Sequence, residues 1–396
     1  MFRDRTLLGL NLAVFLIMLG VGMIVPLLPQ KIINLEGAGA PVGYLASFFA
    51  LSYIVLQVPV GNLSDRLGFK VFLAGGYLVC GLAGLLFYFA DSAALIFLGR
   101  LIQGAGEAPL WALAPALLAI RYPLARGRVM GVYNAVMHLG LTAGPLLGVA
   151  LAGIWTGNQA FLFFAGVCLA GALVILLCVD NVRAGEPAGD SARQPKMRPA
   201  DILALAANRE TLASLVGITL YGAGYGIFLT VLPAYLISFK GFGTAQVGVF
   251  FALFYAAVSL SQLTGFLSDR YGRRVFMIAG LAAAAVGLGM FPALGQPWIS
   301  VILAVAGLGL GVFYLSSLAY LNEVVPDNLK GTISGAYFLF WGAGMFFGPA
   351  LVGKLGELSG PSAGFYLFAL LLLLEALLLA AGGRNKPVPC APKYSG

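Results

Sequence analysis

Apolar stretches of roughly 20 residues, the length a helix needs to span a bilayer's hydrocarbon core, recur along the entire chain with short polar connections between them. Twelve are predicted as transmembrane helices: 6–30, 41–63, 71–90, 95–119, 128–154 and 159–179, then 211–237, 245–267, 275–294, 298–321, 331–355 and 362–383. None shows the two-residue alternation of a membrane strand, so the pattern predicts an all-α polytopic membrane protein. The first stretch follows basic residues, as in a signal peptide. It is too long for one and lacks a small-residue cleavage pattern, so it is read as the first span. Between the halves, "DNVRAGEPAGDSARQPKMRPADILALAANRE" has the polar, Pro/Gly/Ser/Ala-rich composition of a linker. The expected organisation is a six-helix bundle over 1–180, a linker over 181–208, a second six-helix bundle over 209–386 and a tail over 387–396.

The two halves repeat. "GVGMIVPLLP" (20–29) matches "GYGIFLTVLP" (224–233), and "GNLSDRLGFKVF" (61–72) matches "GFLSDRYGRRVF" (265–276). "RGRVMGVYNAVMHLGLTAGPLLG" (126–148) matches "KGTISGAYFLFWGAGMFFGPALVG", which begins at 330. Gly22 and Gly226, Asp65 and Asp269, and Pro145 and Pro349 are each 204 residues apart. A single gapless offset means a parallel duplication of a six-helix unit, two of which can rock about a midplane site.

Composition agrees with the membrane reading: 60% of the 396 residues are hydrophobic and 10% charged, with a mean hydropathy of +0.95. The net charge of +8 is spread in short clusters between spans, which is a topology signal and not a nucleic-acid face. With the N-terminus in the cytoplasm, most Lys and Arg fall inside and only Lys31, Lys240 and Lys354 outside, so both termini are expected to be cytoplasmic. Cys80, Cys168, Cys178 and Cys390 lack metal-ligand spacing, and the single histidine, His138, has no acidic cluster beside it. Neither a metal site, nor a cofactor, nor an enzyme's nucleophile–base set is expected.

Several motifs carry a family resemblance. "GNLSDRLGFK" and its echo "GFLSDRYGRR" resemble the loop signature of the major facilitator superfamily, and the likeness runs over essentially the whole chain. "RLIQGAG" (100–106) resembles the fourth-span motif of its proton-coupled members. "GLTAGPLLG" (140–148) resembles the fifth-span motif of the twelve-span drug:proton antiporter branch. The resemblance implies a cytoplasmic latch made by Gly61, Asp65, Arg66, Gly68 and Lys70, with Asp269, Arg270 and Arg273 as its second-half copy. Position 69 is Phe where the family usually carries a basic residue, which weakens the loop's charge relay. The same charges can also be read as plain topology signals. In the fifth span, Gly140, Gly144 and Gly148 clear one face for close helix packing and Pro145 favours a bend. The resemblance makes this a seam between the halves that seals the cavity against ion leak; ordinary small-residue packing is the alternative.

"GRLIQGAGEAPLW" (99–111) holds two charges where charges are costly, at least ~2.5–3.5 kcal/mol at mid-membrane. Arg100 and Glu107 are two turns apart on one face, roughly 10 Å along the axis, with Gln103 between them. The aligned tenth-span segment, "AVAGLGLGVFY", has neither charge, so the repeated scaffold does not require them. Burial and a nearby guanidinium act on a carboxyl in opposite senses. Glu107 is therefore expected to load and release a proton, with Arg100 tuning it and His138 as a second candidate; a buried structural role for Glu107 is the alternative. Helices flanking the cavity in this fold offer Met23, Gln57, Gln103, Trp111, Asn134, Tyr221, Tyr225, Phe228, Tyr255, Gln262, Tyr314 and Trp341. Aromatic and Met surfaces adapt to varied apolar ligands.

The expectation is a monomeric secondary transporter of a bacterial inner membrane. It would exchange protons for a lipophilic or amphipathic small molecule moving outward by alternating access. A facilitator, or a proton-coupled carrier of a polar metabolite such as a sugar or organic acid, is the alternative, and a non-transporting receptor is a more distant one.

Overall fold

In the computed structural model, the residues described are 4–37, 41–122, 125–152, 154–155, 158–181, 209–324 and 330–381. Among them the chain is helical, with no strand. The linker prediction lies outside these residues except for Asn181, and the tail prediction lies wholly outside them. Eleven helical segments are long and apolar enough to cross a membrane. The fourth span, Ala93–Arg121, is equally long; Arg100, Gln103 and Glu107 lower its hydropathy.

The first span is two helices, Arg5–Ile24 and Leu27–Glu36, and the seventh is Arg209–Leu229 and Val231–Lys240. Both run further than hydropathy predicted, and both break at the same place in the repeat, since Pro26 and Thr230 are 204 residues apart. Pro26 lacks the N–H a continuous helix needs, while Thr230 turns its hydroxyl back onto the Gly226 carbonyl at 2.8 Å. The eighth span is also broken, by a 3₁₀ turn at Gln262–Thr264 between Thr244–Ser261 and Gly265–Tyr271. The remaining spans are Tyr44–Leu67, Phe69–Phe89, Arg126–Leu151, Gln159–Cys178, Arg273–Met290, Trp298–Val324, Lys330–Ser359 and Ala363–Ala381. Gly68 and Gly272, again 204 apart, turn the chain between adjacent spans at φ 94° and 99°, a region that favours glycine.

Packing repeats as the sequence does. The first span packs on the fifth, the second on the fourth and the third on the fourth and sixth. The seventh packs on the eleventh, the eighth on the tenth and the ninth on the tenth and twelfth. The halves meet where the fifth span packs on the eighth and the second on the eleventh. Backbone approaches there are close: a methyl on Gly43 would lie 2.6 Å from the Pro349 carbonyl oxygen, and one on Gly248 would lie 3.5 Å from that of Pro145. Ser47 donates to the Phe346 carbonyl across the same boundary, and Gln30 and Thr244 are hydrogen-bonded across it at 3.1 Å.

At the linker end of the first half, Arg121 bonds Asp180 at 2.8 Å and reaches Asp4 at 3.7 Å. Asp4 also caps the first helix, accepting from the Thr6 and Leu7 amides. Burial pushes the Asp4 carboxyl up, but the nearby Tyr122 hydroxyl, the Leu7 and Thr6 amides and the Arg121 charge outweigh it and hold it below its usual range. A lowered carboxyl stabilises the fold at neutral pH, and that contribution is lost as pH falls through the carboxylate range. Because this ion pair is partly exposed, Arg121→Ala is expected to cost no more than about 1 kcal/mol, and less at high salt. Unfolding midpoints at low and high ionic strength check this.

Candidate functional site

The fourth span crosses the bundle with Arg100, Gln103 and Glu107 all buried. Close packing of the second span allows it: a methyl on Gly104 would meet the Phe49 carbonyl and the Ser52 hydroxyl. Along this face the side chains form a continuous chain. Arg100 Nε donates to the Leu45 carbonyl at 3.0 Å, and Nη1 donates to Gln103 Oε1 at 2.8 Å. Gln103 Nε2 donates to Glu107 Oε1 at 2.9 Å, and Trp111 Nε1 donates to Glu107 Oε2 at 3.2 Å. The Arg100 guanidinium lies over the Phe49 ring, 4.6 Å from its centroid. Both carboxylate oxygens of Glu107 are therefore satisfied, and its link to Arg100 runs through the Gln103 amide.

Gln103, which has no exposed surface, is the connector between Arg100 and Glu107 among the described residues. Gln103→Leu would leave Arg100 Nη1 and Glu107 Oε1 without these partners, and is expected to destabilise the protein by about 2–5 kcal/mol. Thermal unfolding in detergent measures it; an unchanged midpoint would mean that the bridge carries no weight.

Glu107, Trp111, Arg100 and Gln103 line a cavity of about 120 Å³ between the two halves. Of the sequence candidates, His138, Tyr221, Tyr225, Tyr255, Tyr314 and Trp341 also line it. His138 Nδ1 donates to the Asn134 carbonyl one turn back, at 2.8 Å. Tyr221 stacks on Tyr314 with centroids 5.3 Å apart, and Tyr53 meets Trp341 edge-on at 5.7 Å, a contact between halves. Phe49, Tyr53, Tyr337 and Phe338 also belong to the wall, beyond the candidates the sequence offers. The four-residue spacing of Phe49 and Tyr53, on the face that meets Gly104, was the available signal for that pair.

Four polar or Met candidates and one aromatic fall elsewhere. Met23 lines a separate cavity on the far side of the first span. Gln57 and Gln262 are absent from the wall, and each has a buried amide nitrogen with no partner. Asn134 is likewise off the wall and serves through its backbone carbonyl. Phe228 is fully buried and stacks on Phe254 at 4.6 Å.

The fifth-span motif divides. Gly144 lies against the first span of its own half, where a methyl would come within 2.8 Å of the Met23 amide, and Gly140 meets Phe15 and Met18 in the same helix. Pro145 leaves the Leu141 carbonyl without its helical donor, and Gly22 packs on that oxygen. Gly140 and Gly144 thus make their closest contacts inside the first half, while the Pro145 carbonyl oxygen lies 3.5 Å from where a methyl on Gly248 of the eighth span would sit. Gly148 is loosely placed, meeting only Met23 Cγ at 3.4 Å.

At the latch, Asp269 and Arg273 form an ion pair, and Arg273 Nε bonds Glu323 Oε1 at 3.0 Å. Arg270 lies over the Tyr271 ring. These partners all belong to the second half. A side chain on Gly68 would meet Asn181, Gly61 faces open space, and Lys70 is half-buried. The side chains of Asp65 and Arg66 lie outside the described residues.

The Major Facilitator Superfamily profile matches residues 10–341 and, in a second alignment, 217–393. A tetracycline resistance protein, class G, of Vibrio anguillarum is 27% identical over 80% of this chain and 81% of its own. Multidrug resistance protein 1 of Bacillus subtilis is 23% identical over 90% of this chain and 91% of its own. Among solved structures, a mutant of the nucleoside transporter NupG superposes with a TM-score of 0.81 at 18% identity, covering 95% of this chain and 99% of that one. A duplicated twelve-span bundle with a central cavity, matched by this profile over most of its length, is an integral membrane transporter belonging to the Major Facilitator Superfamily.

Proposed function

We propose that the chain is a proton-coupled antiporter that exports a hydrophobic or amphipathic small molecule by alternating access. One observation carries the reading: a single buried carboxylate, Glu107, lines a central cavity whose other walls are largely aromatic. An acid in such a place is costly unless it has a task. Protonation neutralises Glu107 and weakens its hold on the Gln103 and Trp111 donors; deprotonation restores the charge that these donors and Arg100 balance. Proton occupancy can thereby bias the wall that the cargo touches. His138, on the same cavity, is the second candidate for a titrating group.

The names of relatives, tetracycline and multidrug resistance proteins, support export of drug-like amphiphiles. Charge bias supports cytoplasmic termini in an inner membrane. In that orientation the Gln30–Thr244 bond joins the halves on the outer side. The loops around Asp65 and Asp269 are then the latch that closes the cytoplasmic side in the alternate state. Reconstitution with a cargo first identified by thermal stabilisation tests the proposal. A pH gradient should drive accumulation in proteoliposomes, whereas gradient-independent equilibration would favour the facilitator alternative.

A further inference from the structure

A second cavity, of about 350 Å³, lies on the far side of the seam between the first and fifth spans. Val21, Val25 and Leu141 face the central cavity, whereas Met23, Pro26 and Pro145 face this one. Both halves build its wall, because Thr244 and Gly248 of the eighth span join residues from the first, fifth and sixth. Its volume falls in the range of small-molecule sites, roughly 300–1,000 Å³.

Lys31 is the charged side chain of this wall, and no acid pairs with it among the described residues. Its ammonium donates to the Phe87 carbonyl at 2.5 Å and to Asn158 Oδ1 at 3.0 Å, over the Phe161 ring. An ammonium carries three donors, so one N–H is left over. Capping the end of the third span explains part of this, as Lys240 caps the ninth through the Pro292 and Leu294 carbonyls. Lys240, however, lies outside both cavities. Capping does not explain why the wall that holds Lys31 also carries the polar Gln30, Asn34 and Thr244 together with the apolar Met23, Val149 and Trp155. One cavity thus combines a cation and hydrogen-bonding groups with apolar surface.

We propose that this cavity binds an anionic amphiphile, with its carboxylate or phosphate head on Lys31 and its alkyl or aryl body against Met23, Val149 and Trp155. A ligand seated there spans from the first span to the eighth. It binds the arrangement in which Gln30 and Thr244 are joined and so favours that state over one in which this end is open. The site uses none of the residues assigned to the central cavity and stands independently of the proton-coupling proposal.

The test uses the purified full chain in neutral detergent, with a brominated undecanoate and the matching brominated undecanol as tryptophan quenchers. Undecanoate is expected to give saturable quenching that is lost in Trp155→Phe. Lys31→Gln should weaken undecanoate at least tenfold and leave undecanol unchanged. Because Lys31 also caps a helix, Ala152→Phe provides a second variant that fills the cavity without touching the charge, and it should weaken both probes. Undecanoate binding that is unaltered in Lys31→Gln, or quenching that survives Trp155→Phe, would overturn the proposal. So would inorganic phosphate competing as well as unbrominated decanoate, since that would make it a bare anion site.

Discussion

Glu107→Gln is expected to abolish pH-gradient-driven accumulation of cargo, by at least about a hundredfold, while cargo exchange across the same membrane continues. Glutamine keeps the shape and one acceptor of the side chain but cannot take up the proton, so the two activities separate. The flanking donors accommodate only half of the exchange, since Gln103 Nε2 and Trp111 Nε1 each address one oxygen of the carboxylate. The amide nitrogen of the variant faces one of those donors, so some loss of stability accompanies the loss of coupling. Exchange and accumulation assays on the same proteoliposomes distinguish a transport defect from a folding defect. Undiminished gradient-driven accumulation would remove Glu107 from the mechanism.

A second large effect is expected at Gly144, and a small one four residues on. A methyl at Gly144 meets the backbone of the first span, 2.8 Å from the Met23 amide and 2.9 Å from the Gly22 carbonyl carbon. Two backbones have no rotamer with which to yield, so Gly144→Ala should destabilise the first half by about 1–3 kcal/mol or more. Gly148→Ala meets only the flexible end of Met23, at 3.4 Å, and should stay within about 0.5 kcal/mol of the parent. Thermal unfolding midpoints of the two variants check the contrast; equal midpoints would contradict the packing described here. The second half repeats the arrangement, with Gly348 against Ala223 and Gly344 against Thr219, so Gly348→Ala should behave like Gly144→Ala.

Much of this architecture is legible from the sequence, because duplication leaves a signal that a single helix does not. The 204-residue offset that links Pro145 to Pro349 also links the breaks at Pro26 and Thr230 and the turns at Gly68 and Gly272. The break in the first span was not anticipated, since Pro26 lies inside an unbroken apolar run and hydropathy is blind to a missing N–H. Arg100, Gln103 and Glu107 were legible as a unit because their spacing places them on one helical face.

Facing was harder to read. Spans that are apolar all round carry little amphipathic signal, so the sequence places Met23, Gln57, Asn134 and Gln262 on a cavity-flanking span without fixing the face each one presents. Met23 faces the opposite side of its helix from Met18, which does line the central cavity. The fifth-span glycines show the same difficulty: their four-residue spacing predicts a close contact but does not say with which helix. The partner is the first span, since Gly140 and Gly144 meet backbone atoms of residues 15–23.

Glu107 is proposed to couple proton movement to cargo movement, and the decisive measurement is cargo flux into proteoliposomes under an imposed pH gradient. Wild-type protein is predicted to accumulate cargo above its external concentration and to lose that accumulation when the gradient is collapsed by a proton–potassium exchanger. Flux that reaches the same simple equilibrium with or without the gradient would contradict it.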